Sequence, residues 1–160
     1  MKRLLAVPGL ALAILASGCQ PAAVRLGSAT LEDVVALRQQ AEQAYAAEDW
    51  PAAEKAYHRL TETVPQDAEN WFRLGNVYAR LGRHQEAIAL YREALVRDPA
   101  HARAWHNLGM TQLRVATGTF VEMQAYTDPE DPVVQRARRI VEAIEHVLGV
   151  EETREGGEQP

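Results

Sequence analysis

The sequence predicts an all-α protein, a short α-solenoid of antiparallel helix pairs closed by a C-terminal capping helix. Three observations carry this. Trp71, Leu74, Gly75 and Tyr78 fall at i, i+3, i+4 and i+7, and Ala87, Tyr91 and Ala94 form a second helical face, while no strand-period runs occur. Gly82 ends the first of these helices and Pro99 follows the second. The chain also matches itself at one fixed shift: Ala53, Tyr57 and Pro65 return as Ala87, Tyr91 and Pro99, and Trp71, Leu74 and Gly75 return as Trp105, Leu108 and Gly109.

The central unit, Ala68 to His101, carries Trp, Leu, Gly and Tyr on its first helix, then Ala87, Tyr91 and Pro99. At these seven positions it resembles the tetratricopeptide repeat, a helix-turn-helix unit of about 34 residues. The resemblance implies a protein-binding scaffold. The preceding unit, about 34–67, keeps the second-helix pattern but has Leu37, Gln40 and Ala44 where Trp, Leu and Tyr are expected, as a terminal repeat does. Its first helix opens at a Thr30-Leu31-Glu32-Asp33 capping box and runs to about Ala47. Asp49 caps the next, with Pro51 in its first turn.

The third unit begins in register, and then Trp105, Gly109, Leu113, Ala116, Phe120, Met123 and Thr127 keep helical spacing where a break is due. One long helix over about 102–126 is expected; the alternative is a turn at Thr117-Gly118-Thr119, where propensity is poor. The Asp128-Pro129-Glu130-Asp131-Pro132 break lacks the Gly and ligand spacing of a Ca²⁺ loop. It reads as a helix start, with Asp131 as cap and Pro132 at the first helical position. The capping helix, 132–148, carries Val133, Ala137, Ile140, Val141, Ile144 and Leu148 as its apolar face. Residues 149–160 are acidic and Gly-rich, a disordered tail.

The amino terminus is a secretory signal: Met1-Lys2-Arg3, an apolar run from Leu4 to Ala16 too short to span a bilayer comfortably, then small residues before Cys19. Leu15-Ala16-Ser17-Gly18-Cys19 resembles a bacterial lipobox, with Ala16 where Leu is usual. That resemblance implies cleavage of residues 1–18, lipidation of Cys19, and attachment of three acyl chains, more than stable anchoring needs. Gln20 in place of Asp implies the outer membrane. The alternative is an ordinary cleaved signal with an incidental Cys. Cys19 is the only cysteine, so no disulfide framework exists, and residues 20–29 read as a tether.

Loss of Lys2 and Arg3 leaves 15 basic residues against 22 acidic, a net charge of −7, which argues against a nucleic-acid partner. His58, His84, His101, His106 and His146 form no ligand pair on one helix face, and no nucleotide or hydrolase motif occurs. No cofactor, metal or catalytic residue is expected. Trp71 and Trp105 are expected in the solenoid core, with Trp50 at a turn.

Protein binding is the function that the resemblance implies. At 100° per residue, Glu69, Arg73, Asn76 and Arg80 lie opposite the Trp71–Tyr78 face. Their equivalents are Arg103, Asn107, Met110 and Arg114, and on the first helix Val35, Gln39, Glu42 and Ala46. The family resemblance implies that this face lines a peptide groove flanked by Arg38, Phe72 and His106. The bland reading is a solvated helix face. Carboxylate-clamp members place basic residues and Asn here, from which Glu42 and Glu69 depart. Four Arg (73, 80, 103, 114) against two Glu (42, 69) favour an acidic or carboxyl-terminal peptide. The expected function is an outer-membrane lipoprotein, facing the periplasm, that acts as an adaptor or scaffold in cell-envelope assembly such as pilus or secretion machinery. The alternative is a structural subunit bound through its convex face or terminal helix.

Overall fold

The structure, a computed structural model, describes residues 25–26 and 29–149. The signal, Cys19 and the acidic tail lie outside the described residues. Among those described, six helices follow in order: α1 (Leu31–Ala46), α2 (Trp50–Thr63), α3 (Ala68–Arg80), α4 (His84–Arg97), α5 (Ala102–Tyr126) and α6 (Pro132–Leu148). Each helix packs on the next in the chain, which is the solenoid expected of short turns between amphipathic helices. Ahead of them β1 (Arg25–Leu26) pairs antiparallel with β2 (Ala29–Thr30). This corrects the tether expectation for those residues.

The helix starts are set by side chains that take the orphan N–H groups. Thr30 and Asp33 form a reciprocal capping box, with Thr30 Oγ1 accepting from Asp33 N–H at 3.1 Å and Asp33 Oδ2 accepting from Thr30 N–H at 2.9 Å. Asp49, Asp67 and Asp131 accept from Ala52, Glu69 and Val133. Asp128 accepts from Glu130 N–H, so both aspartates before α6 are spent on a turn and a cap. The α3–α4 turn needs a left-handed residue, supplied by Gly82 at φ 74°. Its equivalent one repeat earlier is Glu48, which holds φ 56° despite its Cβ.

Two clusters make the core. Val34, Ala41, Ala53, Tyr57, Leu60, Leu74 and Val77 join α1, α2 and α3. Phe72, Ala87, Tyr91, Leu95, Ala104 and Leu108 join α3, α4 and α5. Burial of Phe72, which is 3% exposed, corrects its assignment to the groove flank. Because α3 has neighbours on two sides, it buries Asn70, Leu74 and Val77 on one and Phe72 and Gly75 on another.

α5 is continuous through Thr117-Gly118-Thr119; Thr117 and Thr119 bond their hydroxyls back to the Leu113 and Val115 carbonyls. The consequence falls on Trp105. Trp71 donates its indole N–H to the Pro65 carbonyl at 2.9 Å, and Trp105 donates to the Pro99 carbonyl at 3.0 Å. Trp71 is then covered by the Arg97 guanidinium from the end of α4, 4.1 Å from the ring. The position one repeat after Arg97 is Asp131, where α6 is only starting. Trp105 therefore lacks its cover and is 56% exposed, which corrects its placement in the core. At Gly109, one repeat after Gly75, a Cβ would meet nothing within 4 Å. In α6 the buried residues are Val134, Ala137 and Val141, while Val133 and Ile140 are exposed.

Candidate peptide groove

The alternate helices α1, α3 and α5 share one recess of about 320 Å³. Tyr45 comes from α1, Asn76, Ala79 and Arg80 from α3, and His106, Asn107, Met110 and Thr111 from α5. Tyr91 of α4, 1% exposed, also lines it. Its hydroxyl donates to Asn76 Oδ1 at 3.0 Å, and Asn107 Nδ2 donates to the same oxygen at 2.7 Å. Both bonds fall on Oδ1, so the Asn76 amide N–H groups remain available to a guest. Burial pushes the Tyr91 hydroxyl up to about 12, so it stays a neutral donor. Asn107 is held in turn: its carbonyl accepts from Thr111 Oγ1 at 2.7 Å, and its Oδ1 meets His106 Nδ1 at 3.2 Å.

Beside the recess lies a second cluster, centred on Glu69. Its Oε1 accepts from Arg73 Nε at 2.7 Å; its Oε2 accepts from Arg103 Nη2 at 2.9 Å and from His101 Nε2 at 3.2 Å. His101 Nδ1 accepts from the Ala104 N–H at 3.1 Å, which leaves the ring proton on Nε2, facing Glu69. The Arg73 guanidinium lies 5.9 Å from the Tyr45 ring and that of Arg103 4.9 Å from the Phe72 ring. The two Arg side chains thus already hold a carboxylate, and it is the protein's own.

The sequence-derived positions separate into groups. Asn76, Arg80, His106, Asn107 and Met110 line the recess. Glu69, Arg73 and Arg103 form the ionic cluster next to it. Arg38 is turned to Asp67, 2.7 Å away, and so braces the start of α3. Glu42 and Arg114 are exposed on α1 and α5 but outside the recess lining. Sequence reasoning missed Tyr45, Tyr91 and His101. Tyr45 was findable, since it stands one repeat before Ala79, which lines the same recess.

The tetratricopeptide repeat family model matches residues 38–102. This segment carries tetratricopeptide repeats. The fold is likewise that of a tetratricopeptide-repeat solenoid. The TPR2B domain of yeast Sti1, solved as a pHsp70 complex, matches with a TM-score of 0.52 at 22% identity, over 71% of this chain and 96% of that one. The TPR domain of Sgt2 from Aspergillus fumigatus matches with a TM-score of 0.50 at 21% identity, over 82% and 87%. In sequence, a TPR repeat-containing protein of Halalkalibacterium halodurans is 35% identical over 52 residues, 32% of this chain. A peroxisomal targeting signal receptor of Kluyveromyces lactis is 32% identical over 71 residues, 44% of this chain. The chain spans 23% and 12% of the length of those two relatives. Among the described residues no helix is long and apolar enough to cross a membrane, and no group of metal-ligating side chains converges.

Proposed function

We propose that this protein is a lipid-anchored adaptor or scaffold of the bacterial outer membrane, working in cell-envelope assembly such as pilus or secretion machinery. The repeat domain captures an acidic or carboxyl-terminal peptide segment of a protein partner in the α1–α3–α5 recess. Lipidation of Cys19 holds the complex at the membrane. The observation that carries the binding reading is the recess itself. It offers the Asn76 amide and the Arg80 guanidinium, neither bonded to a carboxylate among the described residues. Arg73 and Arg103 stand next to them. A guest carboxylate entering there displaces Glu69 from one or both Arg side chains. This exchange favours guests that bring more than one acidic group, since a single carboxylate only replaces one like itself. The Sti1 neighbour, solved as a pHsp70 complex, supports the module's use in binding, and the lipobox resemblance supports the anchor.

The test begins with isolation of the partner by pull-down. Arg80→Ala/Arg103→Ala should weaken its binding about tenfold or more, since hydrogen bonds to charged groups contribute about 1.5–3 kcal/mol each. Arg92→Ala, on the exposed side of α4, should bind as wild type. Full-strength binding by the groove variant, with loss on Arg92→Ala, would assign the function to a structural subunit held by its outer face. The anchor is tested separately: Cys19→Ala should abolish acyl labelling and membrane retention, and an unlabelled, freely soluble wild type would refute it.

A further inference from the structure

One apolar stripe of α6 is left exposed among the described residues. Val134, Ala137 and Val141 are buried against α5. Val133, Ile140 and Val147 recur every seventh residue and are 64%, 39% and 62% exposed. Ile140, Ala143, Ile144 and Val147, with Leu113 of α5, line a mostly apolar trough of about 400 Å³. Arg136 and Arg139, one helical turn apart, stand at its edge. Among the described residues neither makes an ion pair, whereas Arg38, Arg73, Arg83, Arg97 and Arg103 each hold a carboxylate.

We propose that this trough docks an amphipathic helix of another protein, one whose apolar face is bordered by carboxylates that pair with Arg136 and Arg139. The site is distinct from the recess, which α6 does not line. Its place in the solenoid explains its shape. Every earlier helix is followed by another that packs on it, and the α5–α6 groove is the surface that a following helix would cover. An extended peptide would bring unpaired backbone groups into an apolar trough, while a helix satisfies its own. Residues 150–160 are the wrong material, since they hold one aliphatic side chain, Val150. A second copy fits the spacing, since antiparallel pairing about Ile140 sets Val133 against Val147, and the experiment below separates it from a partner helix. A bilayer meets a convex ridge, whereas this surface is a furrow between two helices.

The probe is a labelled synthetic helix of about four turns, with Leu along one face and Glu on both borders, beside a twin with Lys borders. Binding to the full chain is read by fluorescence anisotropy. The Glu-bordered helix should bind about tenfold tighter than its twin. Arg136→Glu/Arg139→Glu should invert that order, Ile140→Asp should abolish binding of both, and the groove variant Arg80→Ala/Arg103→Ala should leave both unchanged. Equal binding of the twins, or a preference untouched by charge reversal, overturns the proposal. So does concentration-dependent dimerisation lost in Ile140→Asp, which gives the face to a second copy. Binding to phosphatidylglycerol vesicles without binding to either helix also overturns it, in favour of a lipid surface. If Ile140→Asp fails to fold by circular dichroism, the reversal at the exposed Arg136 and Arg139 still decides.

Discussion

Gly75 and Gly109 stand one repeat apart in the same register position, and the structure gives them opposite roles. A Cβ on Gly75 would lie 2.7 Å from Tyr91 Cε1 and 2.8 Å from Cδ1, inside any ordinary carbon–carbon contact. The ring cannot swing away freely, because Tyr91 is 1% exposed and its hydroxyl is bonded to Asn76. Gly75→Ala gains about 1 kcal/mol in helix propensity. Against this stand about 1–3 kcal/mol of overpacking and about 1 kcal/mol for a strained or lost Tyr91–Asn76 bond. The net is a destabilisation of about 1–3 kcal/mol. Gly109→Ala meets nothing within 4 Å and keeps only the propensity gain, a stabilisation of about 0.5–1 kcal/mol. In a domain of this size each kcal/mol moves the thermal midpoint by roughly 3–5 °C. Thermal unfolding followed by circular dichroism should therefore show Gly75→Ala lowered and Gly109→Ala raised. Shifts of the same sign would refute the close α3–α4 approach at Gly75 or the open space beside Gly109.

Three further outcomes follow from the same geometry. Glu69→Gln should raise affinity for a carboxylate-bearing partner peptide several-fold by freeing Arg73 and Arg103, at a stability cost of at most about 1 kcal/mol for these half-exposed pairs; unchanged affinity by calorimetry would mean that guests do not use those two Arg. Glu48→Gly should stabilise the α1–α2 turn by about 0.5–1 kcal/mol, the relief of a left-handed residue less the added chain entropy, and denaturant midpoints that fall would contradict it. Tyr91 is raised from 10.0 to about 12, so the folded state keeps its proton where the unfolded state has lost it. Its contribution is intact below pH ~10 and drains as pH rises towards ~12. Tyr91→Phe should flatten that alkaline loss of stability, and an unaltered pH profile would place the titration elsewhere.

The helices were legible because their signals are local. Thr30, Asp49, Gly82, Asp131 and Pro132 each act on the turn they stand in, and the helix ends follow them. Periodicity also outweighed the weak helix formers Thr117, Gly118 and Thr119 in α5, since three consecutive turns of packing face exceed the cost of a few residues. The facing of side chains was less legible. A helix with one neighbour shows one apolar stripe, but α3 lies between two, so Phe72 on its second buried side looked like part of the polar face. Trp105 misled in the other direction: the residue matches its repeat position, while what covers that position depends on where α6 begins. The Glu69 cluster was invisible for a different reason. The charge count over this face set Glu69 against the Arg side chains, but a sum does not show that its one carboxylate bonds both Arg73 and Arg103.

The two junctions between repeats show how register outlasts chemistry. Arg38, on the first helix of one repeat, and Asp67, at the cap of the next, meet as an ion pair at 2.7 Å. Moved forward by one repeat, both positions become Phe72 and His101, whose rings lie 4.8 Å apart. The same two sites touch in both places through unrelated interactions. Helix lengths and turns bring them together, and the side chains fill whatever contact results. A residue at such a site is therefore committed to holding neighbouring repeats in place, whatever its polarity. That is why Arg38 and Phe72 belong to the scaffold although His106, at the equivalent position of α5, lines the recess. With α5 extended past the repeat length, no further cap arrives to meet it, and His106 is left free to face a guest.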